Sequence, residues 1–509
     1  MTASTSPPGA LEDAVVPPEE PPAHEEKAFK KLFARGSAWA LINYAVGYTL
    51  RLASNFILWR LLTPDAFGLM AIVNVFIQGL TMFSDIGIGQ SVVQNEREDR
   101  KFLDTVWTLQ VSRGLIVWAL ATAAAIPVAR FYHQDSLSTL IPVVAGAFGL
   151  SAFNSTNLFT ASRHLAIGRL TIVDITSQVG SLIVMVVWSY LTHSVWGLAA
   201  GSVVSALIRL ILSFRMLPGE RNRFCWDRET IRAVAQFGRW IFLSTMLTFL
   251  ASYSDRLIIG KLVSIDRLGV YSIALVWATF PYFVISHVAG TVVFPLFSRM
   301  NKAAGALNKS FRKVRGPVLF AGAWLYACLL AGGPVLIRFL YDQRAVEAGL
   351  TVQLLAIGSW FSSIESTNSY ALLALGKPKW LAFGNAAKLI GMLVLLPLGA
   401  HLFGFNATVL ALSLSEICRY AISATACTRA GLRPVAQDLR FCVGIAVSSA
   451  IGLLVRAGYA RLHLPISNHR VNAFLEGTAV FLVLSAIWFA LYKRSRRDVA
   501  AAATATATA

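Results

Sequence analysis

The sequence contains the stretch Arg60-Leu-Leu-Thr-Pro-Asp-Ala-Phe-Gly68 and, 201 residues further on, the stretch Lys261-Leu-Val-Ser-Ile-Asp-Arg-Leu-Gly269. Both read base, Leu, aliphatic residue, hydroxyl residue, any residue, Asp, any residue, apolar residue, Gly. Each stretch lies between two long apolar segments, which predicts a short polar turn between two hydrophobic helices. The Asp can cap the second helix, and the Gly allows the first turn of that helix to pack closely.

Two shorter pairs of segments recur in the same order at nearly the same offset. Ala166-Ile-Gly-Arg169 matches Ala374-Leu-Gly-Lys377 at 208 residues, and Ile208-Arg209 matches Cys418-Arg419 at 210 residues. Three pairs in one order indicate a duplicated unit of roughly two hundred residues, far longer than a solenoid repeat. Large duplicated halves made of apolar helices are typical of membrane transporters, in which the substrate site lies between the halves.

The composition of the 509-residue chain excludes an ordinary soluble protein. Hydrophobic residues make up 56% of the sequence and charged residues 14%, whereas soluble proteins carry about 25% charged residues. Many apolar runs reach the ~20 residues that a helix needs to cross a bilayer. The net charge of +19 does not indicate nucleic-acid binding, because the bases lie in short loops between apolar runs. The five cysteines have no paired spacing, and they indicate neither a disulfide framework nor a metal site.

We therefore predict an all-α polytopic membrane protein with 14 transmembrane helices, built as two repeated six-helix lobes plus two C-terminal helices. The N-terminal lobe is expected at 37–215, the C-terminal lobe at 237–430 and the last two helices at 431–497. A cytoplasmic linker at 216–236, with an amphipathic surface helix, joins the lobes. The predicted spans lie near 37–62, 67–90, 104–128, 138–162, 170–192, 196–215, 237–261, 268–295, 316–340, 348–375, 379–400, 405–428, 438–460 and 472–492.

Both ends of the chain are predicted to lie outside the lobes. Residues 1–36 read as a disordered, acidic and proline-rich tail followed by a basic juxtamembrane helix, for which a solvated linker is the alternative. The acidic start cannot be a signal peptide, which would begin basic and turn apolar. Residues 498–509 form a low-complexity tail of Ala and Thr. Most Lys and Arg residues fall in the segments that are cytoplasmic if the N-terminus is inside, which predicts two cytoplasmic termini.

A polar stripe along the first span is the first candidate binding surface. Its residues recur at i, i+3, i+4, i+7, i+10 and i+11, which places them on one face of a helix. They are Tyr44, Gly47, Tyr48, Arg51, Ser54 and Asn55. The residues 201 positions later, on the seventh span, are Thr245, Thr248, Phe249, Ser252, Asp255 and Arg256. Polar faces on two repeat-related helices predict a hydrated cavity between the halves, although Arg51 itself becomes Ser252.

Charged groups inside the membrane are costly, so they usually face a cavity or a partner. We assign a hypothetical substrate-binding role in the cavity to one set of residues, and a coupling or gating role to a set of acids. The substrate-binding candidates are Arg51, Tyr48, Asn55, Arg113, Arg256, Lys388 and Arg419. The coupling or gating candidates are Asp85, Asp255, Glu365 and Glu416.

Each charge also has a structural explanation. Arg51 lies too deep in its helix to reach the headgroups easily, but it could belong to a structural ion pair. Glu416 and Arg419 are three residues apart on one helix and could neutralise each other. Arg256 lies near a predicted helix end, where its side chain could extend to the interface. Asp85, close to a cytoplasmic end, also fits helix capping or a gating pair.

The sequence shows no active site. It contains no Walker loop, no His/Cys set with metal-ligand spacing and no Ser-His-Asp arrangement, so we expect no enzyme activity and no cofactor or metal. The loops are too short for a soluble catalytic domain. A membrane-embedded polysaccharide polymerase is an alternative, but it would be expected to carry a large external loop.

Four segments carry a resemblance to a known family. They are Arg60 to Gly68 as quoted above, Phe83-Ser-Asp-Ile-Gly-Ile-Gly-Gln90, Ser254-Asp-Arg-Leu-Ile-Ile-Gly-Lys261 and Phe294-Pro-Leu-Phe-Ser-Arg299. In this order they resemble the polysaccharide-transport family of the multidrug/oligosaccharidyl-lipid/polysaccharide exporter superfamily. Within it, residues 35–495 look like a Wzx-type oligosaccharide flippase of the exopolysaccharide branch. The matching motifs lie at turns and helix ends, so the resemblance implies no individual binding residue.

The resemblance implies two six-helix lobes that form a V and alternate between inward-open and outward-open states. It also implies a location in the bacterial inner membrane and a substrate made of a polyprenyl pyrophosphate bearing an oligosaccharide, moved from the cytoplasmic to the periplasmic leaflet. The polysaccharide polymerase and export machinery are candidate partners. A pyrophosphate is an anion, so the cavity should be basic, with arginine side chains on the phosphate oxygens. A cation-coupled drug exporter of the same superfamily, the main alternative, would instead need an acid-dominated, aromatic-lined pocket.

The predicted orientation can be tested by thiol labelling of single cysteines. In intact cells, cysteines introduced at 299–315 should resist a membrane-impermeant thiol reagent, whereas cysteines at 342–346 should react, because the first segment is predicted to be cytoplasmic and the second external. The reverse labelling pattern would overturn the orientation and, with it, the direction of transport.

Overall fold

The computed structural model describes residues 23–85, 88, 92, 99–163, 166–219, 222–290, 297, 307–461 and 468–507. The predicted disordered tail before Ala23, and most of the two segments Phe83–Gln90 and Phe294–Arg299, lie outside the described residues. The described helices are α1 (Ala23–Leu61), α2 (Pro64–Phe83), α3 (Arg100–Tyr132), α4 (Leu137–Ser151), α5 (Asn157–Arg163), α6 (Ile167–Thr192), α7 (Trp196–Arg215), α8 (Arg228–Leu262), α9 (Ile265–Val288), α10 (Leu307–Leu340), α11 (Val346–Ala374), α12 (Lys379–Phe403), α13 (Phe405–Arg429), α14 (Val435–Arg461) and α15 (His469–Ala507).

The chain is an all-α, multi-pass membrane protein, as predicted. Ten of the described helices are long and apolar enough to cross a membrane. Each of the predicted spans overlaps one described helix, except the fourth, which overlaps α4 and α5. The remaining four helices that coincide with predicted spans are α1, α4, α8 and α11, and the total of fourteen spans stays a prediction.

The first helix of each lobe begins earlier than predicted. The helix α1 begins at Ala23, so the juxtamembrane segment and the first span form one continuous helix. The helix α8 begins at Arg228, so the expected linker helix is the first part of α8. Asp227 is its N-cap and accepts a hydrogen bond from the backbone N–H of Thr230 at 3.0 Å. Hydrogen bonds from Thr230 and the nearby Lys101 lower the pKa of Asp227 to about 2, so the cap stays charged at neutral pH.

The fourth predicted span is broken after α4 because a polar run follows it. The Asn222 side chain accepts hydrogen bonds from the hydroxyl of Ser155 (3.0 Å) and the backbone of Thr156 (3.2 Å). The hydroxyl of Ser213 accepts a third hydrogen bond, from the backbone of Ser155, at 3.1 Å. These side chains satisfy buried backbone groups that a continuous helix would have paired internally.

The two lobes are built on the same packing scheme. In the N-terminal lobe α3 packs on α4, α4 on α7, α6 on α7 and α1 on α6. In the C-terminal lobe their counterparts pack in the same way: α10 on α11, α11 on α13, α12 on α13 and α8 on α12. The sequence duplication is therefore a duplication of a six-helix unit.

The two repeated stretches meet at the boundary between the lobes. A Cβ atom on Gly68 would lie 2.2 Å from the carbonyl oxygen of Ile265, and one on Gly269 would lie 1.9 Å from that of Pro64. The two contacts are related by the offset of 201 residues, so each repeat presents the same surface to the other, as in an isologous dimer interface. Since α2 and α9 both begin here, the repeats run parallel. We call this end of the bundle the glycine end.

The bases that open the repeated stretches also reach across to the opposite lobe. Arg60 donates a hydrogen bond to the carbonyl of Leu340 (3.3 Å), at the end of α10. Lys261 donates one to the carbonyl of Phe131 (2.6 Å), at the end of α3. Carbonyls at a helix C-terminus have no intrahelical partner and attract cations. The expected Asp caps are not observed, because the N-cap positions of α2 and α9 belong to the preceding hydroxyl residues.

A buried cluster around Trp59 closes the glycine end. The Trp59 side chain is fully buried, and its indole N–H donates to the carboxylate of Asp342 in the other lobe at 3.2 Å. Arg344 donates hydrogen bonds to the carbonyls of Trp59 (3.2 Å) and Leu62 (3.3 Å). This end is therefore held by aromatic packing and by hydrogen bonds between the lobes.

Nearer the opposite end, α8 packs on α2, whereas α1 contacts α9 through the long side chains of Tyr44 and Tyr48. The Tyr44 ring stacks on His287 with ring centres 4.9 Å apart. The Thr245 hydroxyl donates to the carbonyl of Met82 at 2.9 Å. The first helix of each lobe thus faces the second helix of the other.

The last two helices pack on the C-terminal lobe, and a buried ion pair joins α14 to it. Arg315 of α10 is fully buried and lies 2.7 Å from the carboxylate of Asp438 of α14. It also donates to the hydroxyl of Thr367 at 2.6 Å, while Tyr420 donates to Asp438 at 2.9 Å. Both α14 and α15 pack on α10.

The glycine contact can be tested by adding single methyl groups. Gly68→Ala and Gly269→Ala would each force a methyl against a backbone carbonyl, and overpacking of this kind costs roughly 1–3 kcal/mol. Both variants should melt at a lower temperature than the native protein in detergent, and by similar amounts because the contacts are repeat-related.

The matched control is Gly332→Ala in the interior of α10, where a Cβ would meet no atom within 4 Å. Alanine is the better helix former by about 1 kcal/mol, so this variant should melt at or above the native temperature. Native-like melting of both Gly68→Ala and Gly269→Ala would show that the lobes do not meet at these residues.

Candidate functional site

The polar stripe of α1 lies partly against the other lobe. The Tyr48 hydroxyl donates to the carbonyl of Val276 in α9 at 3.0 Å. One turn further along the same face, Arg51 is exposed. Ser54 and Asn55 both donate to the backbone carbonyl of Arg51 at 2.9 Å, so these two side chains are occupied within α1.

Arg51 carries a charge that no acid in the described part of the chain offsets. Among the residues that the structure describes, none forms an ion pair with its guanidinium, and the proposed structural ion pair therefore has no described partner. Arg51 lies ten residues before the end of α1, about 15 Å along the helix axis. A free guanidinium at this depth is available to bind an anion.

The repeat-related position in α8 has a different chemistry. Ser252 replaces Arg51 and is also exposed. The neighbouring Asp255 is 6% exposed and accepts a hydrogen bond from the hydroxyl of Tyr271, which is itself fully buried. Arg256 lies 3.5 Å from the carboxylate of Asp255. Both charged candidates on α8 are thus paired with each other.

Four of the candidate residues form one connected group inside the C-terminal lobe. Lys388 of α12 lies 2.6 Å from the carboxylate of Glu416 of α13. Arg419 of α13 lies 3.2 Å from both Glu416 and Glu365, the latter on α11. We call these four residues the charge network. Its two bases and two acids balance, so the lobe interior carries no excess charge here.

The charge network is almost dry but not fully satisfied. The Arg419 side chain is 11% exposed and that of Lys388 is 9% exposed. The Nε atom of Arg419 is buried without a hydrogen-bond partner in the described part of the chain. The Ser369 hydroxyl donates to the Glu365 carboxylate, whereas the Ser362 hydroxyl donates to a backbone carbonyl of its own helix. A buried unsatisfied donor next to acids is a place where a water or a ligand atom fits.

The N-terminal lobe contains a pocket of about 740 Å³ at the end opposite the glycine end, with charged and apolar side chains in its lining. Arg113 lies 3.7 Å from Asp85, and Arg209 lies 3.2 Å from Asp174. Arg113 also donates to the carbonyl of Thr81 at 2.6 Å. The pocket is thus lined by two acid–base pairs, one of which joins the candidates Arg113 and Asp85.

Sequence analysis missed two amides in this pocket, Gln110 and Asn154. Gln110 donates to the carbonyls of Ala152 (2.7 Å) and Asn154 (3.1 Å), and each amide keeps a buried oxygen without a partner among the described residues. The polar run that breaks the fourth span was a signal for Asn154. Gln110 gave none, because a single amide in an apolar helix is common.

The structure therefore separates the candidates into four places. The α1 stripe with Arg51 lies along the lobe boundary, and the pair of Asp255 and Arg256 lies on α8. The charge network lies inside the C-terminal lobe, and Arg113 and Asp85 lie in the pocket of the N-terminal lobe. No described group of three or more His, Cys, Asp or Glu side chains could hold a metal ion. The arrangement offers a cation and several amides and hydroxyls to a ligand.

The chain is similar in sequence to proteins of polysaccharide biosynthesis and similar in fold to a solved membrane protein. The chain is 20% identical to the teichuronic acid biosynthesis protein TuaB of Bacillus subtilis, over 58% of this chain and 61% of TuaB. It is 25% identical to the succinoglycan biosynthesis transport protein ExoT of Rhizobium meliloti, over 53% of this chain and 54% of ExoT. The alignments thus span less than two thirds of these relatives.

A solved structure of the lipid II flippase MurJ in an inward closed conformation covers 90% of this chain and 99% of its own. The TM-score is 0.65 at 15% sequence identity, so the similarity is one of fold. The family model described as polysaccharide biosynthesis protein matches residues 57–344, more than half of the chain and including both repeated stretches. The chain belongs to this polysaccharide biosynthesis protein family, as the resemblance of its motifs indicated.

Proposed function

We propose that the protein is a flippase that moves polyprenyl-pyrophosphate-linked oligosaccharide repeat units across the bacterial cytoplasmic membrane for exopolysaccharide or lipopolysaccharide biosynthesis. The observation that carries the proposal is Arg51, a cation with no acidic partner among the described residues, about 15 Å inside α1 and on the face that meets the other lobe. An anion cannot cross hydrocarbon unaided, and a cation between two parallel six-helix lobes supplies the missing counter-charge. The transport role in the name of ExoT supports the same interpretation.

The two ends of the substrate match different parts of the molecule. The pyrophosphate would bind Arg51, whose planar guanidinium pairs well with phosphate oxygens. The glycan would occupy the pocket of the N-terminal lobe, whose lining includes Gln110, Asn154 and two acid–base pairs. A cation-coupled drug exporter would be expected to leave an acid uncompensated on this face, whereas the free charge is a base.

Transport by alternating access follows from the way in which the lobes touch. The contacts at Gly68 and Gly269 close one end, and release of the substrate there requires these backbones to separate. With the termini in the cytoplasm, as we propose, the glycine end faces the periplasm. The pocket with Arg113 would then open toward the cytoplasm, where the substrate is made.

Each of the four coupling candidates forms an ion pair that protonation of its carboxylate would break. Asp85 pairs with Arg113, Asp255 with Arg256, Glu365 with Arg419 and Glu416 with Lys388. Protonation of a carboxylate removes the attraction to its base and biases the equilibrium between two packing arrangements. We propose that the charge network serves this role in the C-terminal lobe.

Substitution of Arg51 tests the proposed function. Arg51→Ala should reduce transport of lipid-linked repeat units roughly tenfold or more, because charge-assisted hydrogen bonds to the pyrophosphate are lost. Its abundance should stay normal, since no described acid is left unpaired. Arg51→Lys keeps the charge without the planar fork and should retain partial activity.

The measurement compares protein level with accumulation of lipid-linked repeat units in the inner leaflet. Ser252→Ala, at the repeat-related exposed position, is the matched control and should transport normally. An abundant Arg51→Ala protein with unimpaired transport would remove Arg51 from the mechanism.

Arg419 should behave in the opposite way to Arg51. Arg419→Met leaves Glu365 buried without its base, and breaking a buried pair costs roughly 3–5 kcal/mol. The variant should therefore be scarce in the membrane and melt early in detergent, whereas Arg51→Met should not. Arg419→Met combined with Glu365→Gln should regain much of the stability. Normal abundance of Arg419→Met alone would contradict the balanced network.

A further inference from the structure

A second pocket, outside the lobes' shared boundary, lies between α10, α14 and α15. Its volume is about 620 Å³, and its polar lining consists of Arg338, Arg456, Tyr459, Asn472 and Glu476. These residues lie near the ends of α10 and α14 and the start of α15. The pocket therefore opens at the glycine end, on the side of the C-terminal lobe.

One acid holds two arginines in this pocket. Arg338 donates to both oxygens of Glu476, at 3.2 and 3.0 Å, and Arg456 donates to the same carboxylate at 3.0 Å. Arg456 also donates to the carbonyl of Ala331 at 2.9 Å. Glu476 is 8% exposed, whereas the Arg338 side chain is 44% exposed. Two bases and one acid leave a formal charge of +1, so the group is not a neutral structural pair.

The pocket also contains hydrogen-bond donors that have no acceptor among the described residues. The Nη1 atom of Arg338 and the Nη2 atom of Arg456 donate to no described residue. The amide nitrogen of Asn472 is likewise unused by the described residues, because the contact of Asn472 with Tyr459 is made through its oxygen. Three donors around an excess positive charge suit a compact oxyanion that accepts several hydrogen bonds, which is the chemistry of phosphate.

The surroundings of the pocket indicate that the phosphate belongs to a lipid. Glu476 lies seven residues into α15, and Arg338 lies two residues before the end of α10, so the charged group sits roughly 3–11 Å below the helix ends. Leu453, which is 44% exposed, lines the pocket. Beside Arg338, the exposed rings of Phe339 and Phe474 pack together with centres 5.5 Å apart. A free anion would not use such an apolar rim, whereas the acyl or prenyl chains of a lipid would lie along it.

We propose that this pocket is a binding site for the phosphate headgroup of an anionic lipid, held by Arg338, Arg456 and Asn472 with the chain along α14 and α15. A bilayer phospholipid and a polyprenyl phosphate share this chemistry. The site is separate from Arg51 and from the proposed transport activity, so it stands or falls on lipid binding alone.

The test measures lipid binding to the purified full-length chain by native mass spectrometry. The protein in neutral detergent is titrated with phosphatidylglycerol, polyprenyl monophosphate, diacylglycerol and inorganic phosphate in separate experiments. We expect retention of phosphatidylglycerol, polyprenyl phosphate or both, and no retention of diacylglycerol. Preference for one of the first two identifies the source of the phosphate.

Two variants are expected to change lipid binding in opposite directions. Glu476→Gln frees both arginines and raises the local charge, so it should bind the phosphate lipid several-fold more tightly. The triple variant R338Q/R456Q/E476Q removes all three charges together, which avoids stranding a buried acid. It should melt near the native temperature and bind roughly tenfold or more weakly, because two charge-assisted contacts are lost.

Arg461→Gln is the matched control, because Arg461 is exposed near the same end of α14 and should leave binding unchanged. Equal lipid binding by the native protein and the folded triple variant would overturn the proposal. So would weaker binding by Glu476→Gln, which would mean that the acid, rather than the excess charge, shapes the site. Retention of inorganic phosphate as tightly as of the lipids would overturn the lipid assignment.

Discussion

The architecture depends on two backbone carbonyls that reach two glycines. The oxygens of Ile265 and Pro64 occupy the space that a side chain would fill at Gly68 and Gly269. Because the contact is made by main chain on main chain, no side-chain repacking can substitute for it. It sets how closely α2 and α9 approach, and α2 packs mainly on α9 and α8 of the opposite lobe. The bases Arg60 and Lys261 then bind the ends of α10 and α3 in the opposite lobe.

The duplication preserved the scaffold but not its charges. Helix packing, the glycine contacts and the two bases at the lobe boundary all recur in both halves. The polar interiors do not, since Arg51 in one lobe has no acidic partner that the structure describes, while the charge network of the other lobe is balanced. A low-dielectric interior tolerates a free charge only where water or a ligand reaches it. The asymmetry is therefore where a specific ligand can be recognised on an otherwise symmetric frame.

The sequence predicted the parts of the structure that depend on local pattern. Hydrophobic length predicted the helices, and the offset between the repeated stretches predicted two lobes. It did not predict that Gly68 and Gly269 would meet, because spacing along a chain does not show which turns pack together. Nor did it predict that Lys388 and Glu365 join Glu416 and Arg419, since these contacts cross three helices. The break after α4 needed the partner Asn222, which is distant in sequence.

The two C-terminal helices, α14 and α15, make the outline of the protein asymmetric in the plane of the membrane. They pack on α10, whose end contacts Arg60 of α1. At the repeat-related junction, Tyr132 of α3 donates to the carbonyl of Leu257 at 3.2 Å. No further described helix packs on α3 there in the way that α14 and α15 pack on α10. Lipids beside the protein thus meet two additional helices, α14 and α15, at one junction between the lobes, and no additional described helix at the other. An amphiphile whose tail stays in the bilayer would therefore reach the two junctions by unequal routes, even though the lobes behind them are copies of one unit.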